Sequence, residues 1–130
     1  MGATDRSRGQ TSKLIAIIDG DESMQDSLRG FFDSTGLRAR CFGSAEEFLE
    51  YDFHGEVGCL IAEIQMPGMS GLELQARLKD DQCNIPIIFI ATNGGAKTRI
   101  QAMRDGAVEF LVKPLDYPLL LNTVRAALEM

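Results

Sequence analysis

Four short stretches of this sequence place residues capable of phosphoryl or metal chemistry directly after apolar runs. They are Asp19-Gly20-Asp21-Glu22, Glu63-Ile64-Gln65-Met66-Pro67, Ala91-Thr92-Asn93 and Lys113-Pro114. Carboxylates converging with one lysine suit a divalent cation and a phosphoryl group, because hard oxygen ligands hold Mg²⁺ and an ammonium neutralises phosphate oxygens. Taken singly, each acid is an ordinary solvated loop residue. Their recurrence at the ends of successive apolar runs is the feature that points to one site.

The elements that must position them are legible from periodicity. Residues 14–18, 57–61, 85–90 and 108–112 are short, β-branched, nearly continuous apolar runs, and 37–42 is a weaker alternating one. Such runs read as strands of a parallel sheet, buried on both faces. Between them, Met24, Leu28, Phe31 and Phe32 share one helical face, as do Leu72, Leu74 and Leu78, and later Leu119, Leu120, Val124, Ala127 and Leu128. Ser44 with Glu47, Ser70 with Glu73, and Asp116 mark helix starts, since a serine or aspartate cap satisfies amides of the first turn. Strand and helix therefore alternate five times, which predicts right-handed crossovers and a three-layer sandwich. In such a fold functional groups gather at the carboxyl ends of the strands, beside the switch in strand order.

Composition narrows the function classes. The 130 residues suit one domain, with a tail over 1–12 and the folded unit over 13–130. No apolar run nears the roughly 18 residues of a membrane span, and the start lacks the apolar stretch of a signal peptide. The expected location is the cytoplasm. A net charge of −6 with a pI near 4.7 opposes nucleic-acid binding by this domain alone. Cys41, Cys59 and Cys83 fit neither a disulfide framework nor a metal motif and read as reduced, buried thiols. The sole histidine, His54, reads as an exposed loop residue, which leaves no Ser-His or Cys-His catalytic pair. Gly94-Gly95 lacks the lysine and Ser/Thr of a phosphate-binding loop and reads as a turn.

The segments Ile17-Ile18-Asp19-Gly20-Asp21-Glu22, Met66-Pro67-Gly68-Met69-Ser70-Gly71-Leu72-Glu73-Leu74, Asn84-Ile85-Pro86-Ile87-Ile88 and Gly106-Ala107-Val108-Glu109-Phe110-Leu111-Val112-Lys113-Pro114 resemble bacterial response-regulator receiver domains, particularly those of nitrogen-fixation and nitrate-type regulators. The resemblance runs from about Leu14 to Leu128. It implies a flavodoxin-like (βα)5 fold with a five-stranded parallel sheet in the order 2-1-3-4-5, the architecture for which a receiver is a standard example. It also implies two-component signalling, in which a sensor histidine kinase phosphorylates an aspartate at the end of the third strand. Protein partners follow from it: the kinase, an output domain, and a homodimer through the fourth helix, fifth strand and fifth helix.

Carried over residue by residue, the resemblance is incomplete. The phosphoacceptor position falls on Glu63. The paired acids after the first strand fall on Asp19 and Gly20, so a Mg²⁺ ligand is missing, and Asp21 keeps the third acidic place. The switch hydroxyl falls on Ala91, with Thr92 one place later, whereas the switch aromatic Phe110 and the phosphate-pairing Lys113 are kept. Glu63 has one methylene more than aspartate, which moves its carboxylate by roughly an ångström, enough to cost about a hundredfold in a reaction that depends on positioning. The expectations are a receiver that is not phosphorylated by the usual route, has no catalytic residues or cofactor, binds Mg²⁺ weakly if at all, and acts through protein contacts. Glu63 can alternatively imitate the phosphorylated state by pairing with Lys113. Ala91 argues for a fixed scaffold instead, because it has no hydroxyl to be drawn inward. A rival of another class is a haloacid-dehalogenase-like phosphatase using Asp19 as nucleophile and Asp21 as acid, and a flavodoxin shares the architecture.

Overall fold

The computed structural model describes residues 13–129; the expected tail over 1–12 lies outside them. The strands are β1 (Leu14–Ile18), β2 (Arg38–Phe42), β3 (Val57–Glu63), β4 (Ile87–Ala91) and β5 (Glu109–Val112). The helices are α1 (Glu22–Ser34), α2 (Ala45–Leu49), α3 (Gly71–Asp80), α4 (Ala96–Arg104) and α5 (Tyr117–Leu128), with one 3-10 turn at His54–Glu56. All strand pairings are parallel, and the order is β2-β1-β3-β4-β5.

Burial follows from that order. β1, β3 and β4 are interior strands, and every residue in them is buried, which is why their sequences run apolar without alternation. The edge strand β2 alternates instead, with exposed Arg38 and Arg40. Successive side chains point to opposite faces of the sheet, so two cores form. Ala16, Ile18, Leu60, Ala62 and Phe89 face α2, α3 and α4, meeting Phe48, Leu74, Leu78 and Ala102. Ile15, Ile17, Cys59, Ile61, Ile88 and Ile90 face α1 and α5, meeting Leu28, Phe32, Leu120, Val124 and Ala127.

The local signals operate as capping chemistry. Ser44 accepts from Glu47 N, and Asp116 accepts from Leu119 N. Ser70 and Glu73 form a reciprocal capping box on α3. Two sequence expectations need correction. His54 is half-buried, its ring stacked on Phe48 at 4.5 Å and its Nε2 2.8 Å from the Phe48 carbonyl oxygen, because a one-turn helix folds it back over α2. Of the three thiols, all free, Cys59 alone is buried; Cys41 and Cys83 are half-buried, on the edge strand β2 and in the segment after α3.

Candidate functional site

Strands β1, β3 and β5 each deliver one charged member of the site at their carboxyl ends. Asp19 follows β1 and is 3% exposed. Its backbone N–H donates to the Phe42 carbonyl, and its carbonyl accepts from the Gln25 side-chain amide. Asp19 Oδ1 accepts from the Asp21 N–H at 2.9 Å, which leaves Oδ2 turned to the interior. Glu63 is the last residue of β3 and is buried. Lys113 follows β5, and its backbone N–H donates to the Ala91 carbonyl at 2.8 Å, so the register of β4 with β5 sets where its side chain begins. The Lys113–Pro114 peptide is cis.

These three side chains converge. Lys113 Nζ lies 3.3 Å from Glu63 Oε2 and 3.5 Å from Asp19 Oδ2. Both oxygens are buried without a partner in hydrogen-bond geometry, so the lysine acts on them as a charge more than as a directed donor. Burial pushes the Glu63 carboxyl above the ordinary glutamate value; the Lys113 charge opposes this and the Asp19 charge adds to it.

Asp21 goes elsewhere. It is exposed and serves as the N-cap of α1, accepting from Ser23 N at 2.9 Å. It satisfies one of the free amides of the helix start, and no ion pair between it and Lys113 forms among the described residues.

The residues expected at switch positions, Ala91, Thr92 and Phe110, separate. Ala91 ends β4, is 4% exposed and offers no hydroxyl. The Thr92 hydroxyl instead donates to Glu63 Oε1 at 3.4 Å, a long contact. A small cavity of about 130 Å³ lies beside them, lined by Glu63, Ala91, Thr92 and Thr98 among others. Phe110 is 2% exposed, part of the core under α4, with the Arg99 guanidinium 6.0 Å from its ring centre.

Mg²⁺ does not fit this arrangement. Gly20 brings no donor, the Asp21 carboxylate is committed to the helix cap, and the ammonium of Lys113 already stands against both remaining carboxylates. Among the described residues no group of three or more His, Cys, Asp or Glu is placed to hold a metal.

Two supporting residues were not singled out from the sequence. Gln25 ties α1 to the Asp19 carbonyl. Gly71 lies where a Cβ would stand 2.7 Å from the Glu63 carbonyl oxygen and 3.0 Å from the Phe89 ring, so α3 can start this close to β3 only without a side chain. Its signal was the Ser70-Gly71 pair at a helix cap, which does not reveal what the glycine abuts.

Comparison with known proteins agrees with this geometry. Residues 15–125 match the family described as response regulator receiver domain. The chain is 38% identical over 125 residues to response regulator protein TodT of Pseudomonas putida, covering 96% of this chain and 55% of the relative. It is 38% identical over 128 residues to nodulation protein W of Bradyrhizobium diazoefficiens, covering 98% and 56%. Among solved structures, response regulator StyR superposes with a TM-score of 0.84 at 37% identity, covering 89% of this chain and 59% of that one. FixJ-N superposes with a TM-score of 0.80 at 34% identity, covering 89% and 93%.

A parallel sheet in this order, with Asp19, Glu63 and Lys113 gathered at its carboxyl edge, is the receiver architecture, and the chain belongs to the response regulator receiver domain family. It is thus a two-component signalling module, and neither the phosphatase nor the flavodoxin reading is retained. The chain spans about half the length of the curated relatives it matches. Among the described residues no helix is long and apolar enough to cross a membrane.

Proposed function

We propose that this receiver, comprising residues 13–130, takes no phosphoryl group at position 63 and instead works through protein contacts with its state set by a built-in ion pair. The observation that carries this reading is the Lys113 ammonium standing against Glu63 and Asp19, where a phosphorylated receiver pairs its lysine with phosphate. The nucleophile is displaced by a methylene, one cation ligand is missing at Gly20, and the lysine is already engaged. The partners of such a domain are a sensor histidine kinase or an output domain in the cytoplasm, with neither nucleic acid nor cofactor bound by the domain itself. Exposed Ile100, Met103, Val112 and Leu119 on α4, β5 and α5 offer apolar contact area for a homodimer. The test is incubation with acetyl phosphate and Mg²⁺ followed by a phosphate-affinity gel. A single unshifted band is expected, and a retarded band overturns the reading.

A second reading, that the fixed state is the active-like one, is favoured by two observations. Phe110 is buried, as the switch aromatic is when it turns inward in activated receivers, and the Thr92 hydroxyl reaches the Glu63 carboxylate despite Ala91. In this reading Glu63 stands in for the phosphoryl oxygens, and Thr92 takes over the work of the missing hydroxyl.

A further inference from the structure

None of the receiver site's residues belongs to a second constellation, at the β2 edge of the sheet. There a shallow cleft of about 570 Å³ opens between β2, α2 and the segment leading to β3. Its floor is aromatic. The Phe42 and Tyr51 rings meet edge to face at 5.2 Å, and Phe53 packs edge to face on Tyr51 at 5.6 Å. The guanidinium of Arg40 lies 5.0 Å from the Tyr51 ring centre and 5.7 Å from that of Phe42. A cation therefore already occupies part of this floor, held by ring faces.

The floor continues past Arg40. Phe53 is 57% exposed, the largest exposure among the big apolar side chains of the described residues. Among them no cation lies over its ring, although it extends the row on which Arg40 sits. The rim is acidic: Glu47, Glu50, Asp52 and Glu56 all line the cleft and all are exposed. Four carboxylates against one guanidinium leave a surplus of three negative charges. No salt bridge among the described residues takes up Arg40.

We propose that this cleft docks a basic segment of a partner protein, with one arginine over Phe53 beside Arg40 and neighbouring basic side chains among the four acids. A planar guanidinium suits an aromatic floor better than an ammonium, as Arg40 illustrates within the chain itself. Solvated carboxylates contribute little one at a time, so the occupant must present several cations in a row, which a peptide segment does and a small cation does not. The segment lies against an edge strand, on the side of the sheet opposite β5. Its binding is thus compatible with simultaneous use of the α4, β5 and α5 face.

The experiment is fluorescence anisotropy of a labelled hexa-arginine peptide titrated with the chain, and with three variants of it, at moderate salt. Phe53→Leu removes the ring from an exposed position, and Glu50→Gln with Asp52→Asn removes two rim charges. Asp33→Asn with Asp80→Asn removes two charges elsewhere. The first two variants should each weaken binding about tenfold and the third less than about twofold. Absence of binding to the unaltered chain, unchanged affinity in Phe53→Leu, or equal weakening by the remote pair overturns the proposal. A dimer in sedimentation that Phe53→Leu abolishes assigns the cleft to a second copy of the chain and overturns it as well.

Discussion

Lys113 Nζ stands 3.3 Å from Glu63 Oε2 in a setting where the lysine side chain is 19% and the glutamate side chain 10% exposed. The same ammonium serves Asp19 at 3.5 Å, so one cation is shared by two buried carboxylates. The two ends of this relationship are energetically unequal. Removing the lysine leaves two uncompensated buried anions, whereas neutralising Glu63 leaves a paired Asp19 and spares the burial of one charge. Lys113→Met should therefore cost about 2–3 kcal/mol of unfolding free energy, and Glu63→Gln less than about 1 kcal/mol. Urea unfolding of the two variants at neutral pH measures both; equal losses would contradict this account of the pair.

The Glu63 carboxyl is shifted above its ordinary value of 4.5, chiefly by burial. Between that value and the raised folded one, the native state holds the extra proton. Stability attributable to this group is therefore greatest at low pH and declines as pH rises through the folded value. The difference in stability between the unaltered chain and Glu63→Gln should fall from pH 4 upward. Urea midpoints of both proteins across pH 4 to 7 give that difference directly, and a rise with pH would mean that Lys113 outweighs burial.

Position 20 has room for an aspartate side chain. A Cβ at Gly20 would meet only the Gly43 carbonyl oxygen, at 3.8 Å, an ordinary contact. Calorimetric titration should show no Mg²⁺ isotherm at millimolar concentration for the unaltered chain and a millimolar one for Gly20→Asp combined with Glu63→Asp. The double variant should also accept phosphate from acetyl phosphate. A clear isotherm in the unaltered chain refutes the argument from Gly20.

The contact of Thr92 with Glu63 separates the two readings of the fixed state. If that contact helps hold an active-like arrangement, Thr92→Val and Glu63→Gln should each weaken self-association through the α4, β5 and α5 face by severalfold, without altering the thermal midpoint by more than a few degrees. Sedimentation of both variants beside the unaltered chain reads this. Association unchanged in both returns the domain to a scaffold whose surface does not depend on position 63. A dimer of Glu63→Asp that appears only with beryllofluoride would show that switching survives without a hydroxyl at position 91.

Much of this molecule was legible before any tertiary contact was known, and the reason is locality. Strands β1, β3 and β4 are interior, so their burial on both faces is written as unbroken apolar runs. The caps at Ser44, Ser70 and Asp116 satisfy amides only three residues away. Alternation of strand and helix then places Asp19, Glu63 and Lys113 at one edge, because parallel strands align their carboxyl ends. What the sequence could not decide were competitions among partners that only the fold brings within reach. Asp21 had a choice between a pocket and a helix cap, and the nearby amides won. Thr92 reaches Glu63 because the path of the chain after β4 is set by pairing with β3 and β5, not by its own residues. His54 turned inward because Phe48, six residues earlier, presents a ring face and a carbonyl to it. Burial of Phe110, and the engagement of one lysine by two carboxylates from distant parts of the chain, are likewise properties of packing: each depends on distances that no spacing along the sequence encodes.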